Sequence, residues 1–381
     1  MDLAMVVHEL GGALTPTRNS LQLLQAREGN DPEQERLLDV AHRGLERVES
    51  ILQNVTTIAA LDHSAAVLET VELQPILQRF VADHASATSE RCIQMRLHVE
   101  SDAREIPVEA FAFERAVANL LSNAIKFTGS NGRVSVIASR ARGPVLPGRM
   151  MLLAGGFGFR PSFIQVQVSD TGIGISAETR RRLFQPFFRG EEAATIPGMG
   201  LGLSVAQRLA RRMRGDLRAE SPKSGATFIL TLPADMRTLQ LVERLDELRE
   251  RLHAALTVQP LAVAVLRRRS GTDADAQQIE PVLREQLGNP DTHLAVLCES
   301  VAVIWTTSNV RPLASGLCNA VRQVMGPQAD RDFEVALRRA SQGAISDALL
   351  LQAAVRCRHS LDAIGRRKRE VFHVENSRRG R

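Results

Sequence analysis

The segment Asn119-Leu-Leu-Ser-Asn123-Ala-Ile-Lys126-Phe-Thr128 is the first of three segments that together carry the strongest indication of fold in this chain of 381 residues. It closes a predicted helix, Ala110–Lys126, on which Asn119 and Asn123 lie four residues apart and therefore on one face. Neutral amide oxygens suit Mg²⁺, which prefers hard oxygen ligands and shares its coordination shell with phosphates. Lys126 follows three residues later and can reach a phosphate group. Taken alone, the segment also fits a helix whose two asparagines are simply solvated.

A second segment, Ser169-Asp170-Thr-Gly172-Ile-Gly174-Ile, comes directly after a predicted strand, Ile164–Ser169. A buried aspartate at a strand end can accept a hydrogen bond from the amino group of adenine. Gly172 and Gly174 would let the backbone pass close to the base. Aspartate and glycine are also the ordinary residues of turns, so this segment alone indicates little.

A third segment, Gly198-Met-Gly200-Leu-Gly202-Leu-Ser, opens a predicted helix, Leu203–Arg214. Glycine-rich backbone that leads into a helix N-terminus presents N–H groups to phosphates. A Rossmann site is the alternative. It requires the spacing GxGxxG within a βαβ unit of about 30 residues, whereas the spacing here is GxGxG.

Residues 68–235 alternate helix and strand patterns, which predicts an α/β layered domain. Besides the elements above, we expect a helix at Leu73–Ala85 and strands at Gly132–Ser139 and Thr227–Leu232. The insertion Arg140–Ser162 separates two of these strands and contains glycine, proline and an apolar run. We interpret it as a long hairpin loop.

Together and in this order, the three segments resemble the N, G1 and G2 boxes of the GHKL ATPase superfamily, specifically the catalytic domain of histidine kinases. The run Leu183–Gly190 resembles the F box of that family, and Ser224–Phe228 resembles its final G box. The resemblance covers about residues 68–235 and implies an α/β sandwich that binds ATP and Mg²⁺.

The resemblance also implies roles for individual residues. Asn119 and Asn123 would hold Mg²⁺, Asp170 would recognise adenine, and Thr227 would lie near it. The remaining members of the implied ATP site are Lys126 and Arg189 as phosphate contacts, Gly172 and Gly174 in the G1 segment, and Gly198, Gly200 and Gly202 in a small lid over the triphosphate.

Ahead of this domain, residues 1–67 predict a helical hairpin, with helices over 2–27 and 32–61. Apolar residues of the second helix follow the alternating spacing of three and four that suits a bundle core. They are Leu38, Ala41, Leu45, Val48, Leu52, Val55 and Ala59. Two helices cannot bury such stripes alone, so we expect a homodimer that forms a four-helix bundle.

The first predicted helix contains His8-Glu9-Leu10, which resembles the H box of histidine kinases, whose histidine is the phosphoacceptor. A neutral imidazole, with an ordinary pKa of about 6.5, is a competent nucleophile near pH 7. Glu9 can orient the ring and take its proton. An exposed helical histidine is the alternative. The sequence departs from the family at Gly12, where the polar residue four after the histidine is missing, and Pro16 comes three positions late.

After a linker helix at 236–256, residues 257–364 predict an α+β domain of ferredoxin-like or GGDEF-like type. The order of elements faintly resembles a GGDEF (diguanylate cyclase) domain, but Leu297-Cys-Glu-Ser-Val stands where its signature is expected. We expect a catalytically inactive relative, and an unrelated α+β interaction domain is the alternative. The predicted elements are strands Leu261–Leu266 and Phe333–Leu337, a strand pair around Glu299 and Ser300, and helices Ala276–Leu287, Arg311–Met325 and Ser346–His359.

Composition excludes several other classes. The net charge is +5, and residues 365–381 hold seven Arg or Lys and two Glu. The charge therefore belongs to a basic tail, which we expect to be disordered, and not to a nucleic-acid-binding face. No apolar run approaches the roughly 18–20 residues of a membrane span. The four cysteines form no CxxC pair, and the N-terminus lacks the basic region of a signal peptide. We expect a cytoplasmic protein.

The sequence thus predicts an α+β multidomain histidine kinase that transfers the γ-phosphoryl group of ATP to His8 and then to a response-regulator receiver domain. No receiver domain is visible within the chain. A non-catalytic dimeric adaptor with a vestigial ATPase fold is the alternative from another class. A different GHKL enzyme, such as a protein-serine kinase or a gyrase-type ATPase, fits less well because of the preceding H-box hairpin.

Overall fold

A computed structural model describes residues 67–141, 161–193, 196, 200–222, 224–258, 261–268, 291–298, 301–307, 310–325 and 333–340, with eleven isolated positions elsewhere. The internal contacts divide the chain into two compact units. They are Met1–Arg140 with Phe163–Ala234, and Ala141–Ser162 with Asp235–Arg381. None of the described helices is long and apolar enough to cross a bilayer.

The described strands of the first unit are β1 (Glu69–Glu72), β2 (Gln94–Val99), β3 (Glu105–Val108), β4 (Arg133–Arg140), β5 (Phe163–Asp170), β6 (Asp216–Glu220) and β7 (Thr227–Pro233). Five of them form a mixed sheet with the order β2-β4-β5-β7-β6, in which β2 and β4 are parallel and the other pairs antiparallel. A small antiparallel pair, β1 with β3, lies outside this sheet.

Five helices accompany this sheet, namely α1 (Leu73–Asp83), α2 (Ala85–Glu90), α3 (Ala110–Phe127), α4 (Ala177–Arg182) and α5 (Gly202–Arg212), with a 3-10 turn at Glu191–Ala193. The long helix α3 packs against α5 and against β5. Its buried residues recur at the spacing of one helix face. They are Ala112, Phe113, Ala116, Val117, Leu120, Leu121, Ala124 and Ile125. A salt bridge of 2.5 Å between Glu109 and Arg212 joins the start of α3 to the end of α5.

The C-terminal end of α3 is held by side chains that satisfy its last carbonyl groups. The Thr128 hydroxyl donates to the carbonyl oxygen of Ala124 at 2.6 Å, and Arg91 donates to that of Ile125 at 3.0 Å. Terminal carbonyls otherwise lack partners within the helix. This anchoring fixes the turn of α3 that carries Asn123 and Lys126.

The predicted helix Leu73–Ala85 is wrong in its last turn. His84 leaves the helical region, and its imidazole bonds to the carbonyl oxygen of Phe80 at 2.8 Å, so that α1 ends and α2 begins there. The predicted helix Leu203–Arg214 also ends earlier, at Arg212, because Arg214 adopts a positive φ of 57°. The other helix and strands predicted here agree with α3, β4, β5 and β7 to within one residue.

The long hairpin loop predicted at Arg140–Ser162 joins two strands that pair antiparallel, with Arg140 opposite Ile164. Residues 142–160 of this loop lie outside the described residues.

The second unit contains the helix α6 (Met236–Val258) and a five-stranded antiparallel sheet with the order β12-β11-β8-β10-β9. Its further elements are β8 (Leu261–Arg268), β9 (Thr292–Cys298), β10 (Val301–Thr306), α7 (Val310–Met325), β11 (Phe333–Ala340) and β12 (His359–Ser360). Strands β9 and β10 are the pair predicted around Glu299 and Ser300. Of the predicted helix Ala276–Leu287, positions 281, 282 and 285 are described and helical.

The predicted helix Ser346–His359 lies outside the described residues except at its last position. His359 pairs with Val335 in the β11–β12 ladder, so the chain is extended at that point.

Most of the predicted hairpin, including His8, Glu9 and Gly12, lies outside the described residues. Six described positions, 38, 40, 41, 44, 45 and 48, are helical, as expected for its second helix. Leu45 is buried, whereas Val48, on the same predicted stripe, is 40% exposed.

Candidate active site

One cavity of about 800 Å³ in the first unit collects most of the predicted site residues. It is lined by α3, the segment after β5, the segment from Leu183 to Ile196 and the start of α5. Eight predicted residues line it, namely Asn119, Asn123, Lys126, Asp170, Gly174, Arg189, Gly200 and Gly202. Gly172 and Thr227 stand next to lining residues, while Gly198 is outside the described residues.

Asp170 lies at the end of β5 with its side chain turned to the buried face of the sheet. One carboxylate oxygen, Oδ1, accepts from the backbone N–H of Gly172 at 2.8 Å and of Ala226 at 3.2 Å. Burial raises the pKa of Asp170, and these two hydrogen bonds oppose the rise. Because both bonds fall on Oδ1, the other oxygen can accept from a ligand donor in the cavity.

Two glycines allow the backbone to close around Asp170. A Cβ on Gly172 would lie 2.1 Å from the carbonyl oxygen of Phe127. A Cβ on Gly225 would lie 1.8 Å from the carbonyl oxygen of Asp170, and Gly225 has a φ of +76°. Side chains at these positions would clash, and at Gly225 the positive φ adds strain. Thr227 follows, and its hydroxyl donates to that of Ser169 at 2.9 Å.

The last turns of α3 face the beginning of α5. A Cβ on Gly202 would lie 3.5 Å from Asn119 Oδ1 and 3.8 Å from Asn123 Nδ2. Among the described residues, Asn119 Nδ2 is buried without a hydrogen-bond partner. Leu201, which precedes α5, provides no side-chain cap for its first N–H groups. Buried donors and uncapped N–H groups at one place suit a ligand rich in acceptor oxygens, such as a polyphosphate.

Lys126 and Arg189 place positive charge on the same cavity. Burial, and next the nearby charge of Arg189, lower the pKa of Lys126 from its ordinary value. Arg189 Nη2 donates to the carbonyl oxygens of Ala193 and Ile196, the latter at 2.5 Å. An anion beside these cations would relieve their mutual repulsion.

These features fit ATP with Mg²⁺. The cavity lining offers the second carboxylate oxygen of Asp170, the unpaired amide group of Asn119 and two cations, Lys126 and Arg189. Amide side chains of the Asn119 and Asn123 type also supply the oxygen ligands that Mg²⁺ accepts when phosphates complete its shell.

Sequence reasoning missed several residues of the cavity lining. Thr179 and Glu192 come from α4 and the 3-10 turn, and Val40 and Gly44 come from the helix in the predicted hairpin. Glu192 had no motif to mark it. Ser176 followed by Glu178 was a readable signal of a helix start, because serine caps and early acidic residues are typical of helix N-termini.

The chain matches two protein-family models. Residues 108–236 match the family described as histidine kinase-, DNA gyrase B-, and HSP90-like ATPase. Residues 3–64 match the His Kinase A (phospho-acceptor) domain. Both matches confirm the types of domain that were predicted for these parts of the chain.

Similar proteins include the sensor-like histidine kinase SenX3 of Mycobacterium tuberculosis, which is 32% identical over 183 residues, 47% of this chain and 40% of that protein. The signal transduction histidine-protein kinase/phosphatase MprB of Mycobacterium leprae is 28% identical over 226 residues, 57% of this chain and 39% of that protein. The match thus spans about 40% of the length of these relatives.

Among solved structures, full-length ShkA in complex with AMPPNP is 24% identical, with a TM-score of 0.46 over 61% of this chain and 45% of that chain. A match to a phospho-acceptor domain at residues 3–64 is therefore followed by a match to an ATPase domain at residues 108–236, the order in which the two domains were predicted.

Proposed function

We propose that this protein is an ATP-dependent protein-histidine kinase that phosphorylates His8 and passes the phosphoryl group to an aspartate of a separate response regulator. The observation that carries the proposal is the cavity in which Asp170, Asn119, Lys126 and the start of α5 converge. A phospho-acceptor domain precedes this cavity in the same chain.

The nucleotide would lie with adenine at Asp170 and its phosphates toward α5. Asp170 Oδ2 would accept from the exocyclic amino group while Oδ1 stays bonded to the backbone. The uncapped N–H groups of α5, together with Lys126 and Arg189, would receive the phosphates. Mg²⁺, held by Asn119 and Asn123, would supply charge neutralisation for the triphosphate.

In the transfer step, an unprotonated ring nitrogen of His8 attacks the γ-phosphorus, and the bond from that phosphorus to the β-phosphate oxygen breaks. Glu9 takes the remaining imidazole proton as the ring gains positive charge, and ADP leaves. The protein contributes mainly in-line positioning of the two reactants and stabilisation of charge.

A homodimer is part of this proposal. The support is the phospho-acceptor match together with Val48, an apolar residue of the predicted stripe that a single chain leaves 40% exposed. A four-helix bundle would bury such residues.

For residues 257–364 we propose a ferredoxin-like domain without cyclase activity. Strands β11-β8-β10-β9 follow the order fourth, first, third, second along the chain, and α7 connects the third to the fourth. A GGDEF-like ancestry would fit this order, and an interaction domain of other origin would fit it as well.

The test is incubation of the purified chain with ATP labelled in the γ-phosphate. We expect a phosphoprotein whose label is lost in acid and kept in base. His8→Gln should abolish the label and leave ATP affinity within a few-fold, because His8 lies in the phospho-acceptor match, whereas the predicted nucleotide contacts lie in the ATPase match. His42→Gln, in the other predicted helix, is the matched control and should label normally.

The adaptor alternative gives a different outcome. A dimeric adaptor with a vestigial ATPase fold would neither bind ATP nor become phosphorylated. In a true kinase the wild-type protein does both, and the Asn123→Ala variant should lose ATP binding and phosphorylation together. Label that persists in His8→Gln would show that another residue is the acceptor.

A further inference from the structure

Glu192, on the 3-10 turn after Arg189, is hydrogen-bonded to the beginning of α4. Its Oε1 accepts from the backbone N–H of Ser176 at 3.2 Å, and its Oε2 accepts from the hydroxyl of Thr179 at 3.0 Å. Both carboxylate oxygens are thus used, each by a different donor. We call Gly190 together with the 3-10 turn Glu191–Ala193 the wall segment.

The same end of α4 is fixed to the adenine side of the cavity. Ser176 Oγ accepts from the N–H of Thr179 at 3.1 Å, which caps the helix. The N–H of Ile175, one residue earlier, donates to Ser221 Oγ at 3.1 Å, and that hydroxyl donates in turn to the carbonyl oxygen of Gly225 at 3.3 Å. Hydrogen bonds therefore run from the backbone beside Asp170, through α4, to Glu192.

The wall segment is closely packed against the N-terminus of α4. A Cβ on Gly190 would lie 2.5 Å from Glu192 Oε2 and 2.6 Å from Thr179 Oγ1. Thr179, Gly190 and Glu192 also line the cavity, as do Ala193 and Ile196. Loss of the two Glu192 hydrogen bonds would therefore displace residues that line the cavity. It would also displace the carbonyl groups to which Arg189 donates.

We propose that Glu192 is a positioning residue whose carboxylate holds the wall segment against the N-terminus of α4 and so sets the side of the cavity that adjoins Arg189. The expected effect on ATP binding rests on the proposed function, whereas the two hydrogen bonds of Glu192 do not depend on it. Glu192 is exposed, so we expect its loss to weaken ATP binding only moderately, roughly threefold to tenfold, as for one or two net hydrogen bonds.

The experiment uses the full chain with three variants. Glu192→Ala removes both hydrogen bonds. Glu192→Gln keeps the shape, because its amide oxygen can accept from the Ser176 N–H while its amino group donates to the Thr179 hydroxyl. Glu191→Ala removes the neighbouring exposed carboxylate of the same 3-10 turn and is the matched control.

Two measurements are made on each protein. Hydrogen–deuterium exchange of a peptide that covers the wall segment, without nucleotide, reports on the two Glu192 hydrogen bonds. Autophosphorylation at varied ATP gives KM and kcat separately. Glu192→Ala should exchange faster and raise KM for ATP roughly threefold to tenfold with a smaller change in kcat. Glu192→Gln and Glu191→Ala should resemble the wild type in both measurements, and all variants should share its melting temperature.

Unchanged exchange or unchanged KM in Glu192→Ala would overturn the proposal, and so would an equal effect of Glu191→Ala. A wild-type protein that binds no ATP would instead overturn the proposed function and with it the role in nucleotide binding. The exchange data would then still show whether Glu192 holds the wall segment, so the two failures are distinguishable.

Discussion

Asp170→Asn should separate nucleotide binding from stability, because the two depend on different atoms of this side chain. The asparagine oxygen can replace Oδ1 and keep both hydrogen bonds, from the N–H groups of Gly172 and Ala226. The new amino group would then occupy the position of Oδ2, where it meets the amino group of adenine donor against donor. A binding interaction becomes a repulsive one, while the fold keeps its contacts.

The size of the binding loss follows from the bond that disappears. A hydrogen bond to a charged group contributes about 1.5–3 kcal/mol, which corresponds to roughly 10- to 150-fold weaker binding. Stability should not fall. Burial raises the pKa of Asp170, so its ionised form costs folding free energy at neutral pH, and that cost disappears as pH falls through the folded-state pKa. Asparagine carries no such cost at any pH.

The assay is titration with a fluorescent ATP analogue beside thermal denaturation between pH 5 and pH 8. We expect Asp170→Asn to bind at least tenfold more weakly and to melt at or above the wild-type temperature, with the largest gain at the upper pH. Asp216→Asn, on the edge strand β6, is the control and should change neither quantity. Unchanged affinity in Asp170→Asn would refute the adenine assignment, and a large loss of stability would refute the account of its hydrogen bonds.

Three further predictions concern separate features of the chain. Gly225→Ala should lower the melting temperature and the ATP affinity together. A Cβ there would lie 1.8 Å from the carbonyl oxygen of Asp170, and a non-glycine residue at such a φ already costs about 1–3 kcal/mol. A variant as stable as the wild type would show that the segment can move. The protein should not accelerate decay of a phosphorylated response regulator, since Gly12 leaves no side chain to aim a water molecule, and acceleration that survives in His8→Gln would contradict this. Residues 257–364 should form no cyclic dinucleotide when the full chain is incubated with GTP and Mg²⁺, because cyclisation requires carboxylates to hold metal ions, and chromatographic detection of such a product would disprove it.

The elements that sequence reasoning predicted well are those whose periodicity is set by the core. Helix α3 buries one continuous face, and β4, β5 and β7 occupy the three central positions of the sheet, so their apolar patterns are long. Two of the elements it missed, α4 and β6, have little to bury. Helix α4 has six residues and no buried side chain, and β6 is an edge strand that begins and ends with an acidic residue.

The same distinction applies to the site. Asp170, Asn119 and Asn123, which line one cavity, could be grouped from the sequence because local motifs carry them on elements with strong periodic signals. Glu192 and Thr179 could not, because their hydrogen bond joins segments thirteen residues apart and depends on how the chain folds back after α4. A sequence motif can reveal residues of the kind that contact a ligand. It reveals less easily the residues that hold the surrounding segments in position.

The environment of Asp170 follows from strand register rather than from the motif alone. In the β5–β7 ladder Ser169 lies opposite Thr227, so Ala226 lies beside Asp170. The N–H of Asp170 donates to the carbonyl oxygen of Ala226 at 2.9 Å, and the N–H of Ala226 donates to Asp170 Oδ1 at 3.2 Å. Asp170 shares a buried face with Val166 and Val168. A slip of one residue would turn that whole face outward and move the carboxylate away from its N–H donors. The apolar residues of β5 that hold the register therefore also hold the carboxylate that we propose accepts from adenine.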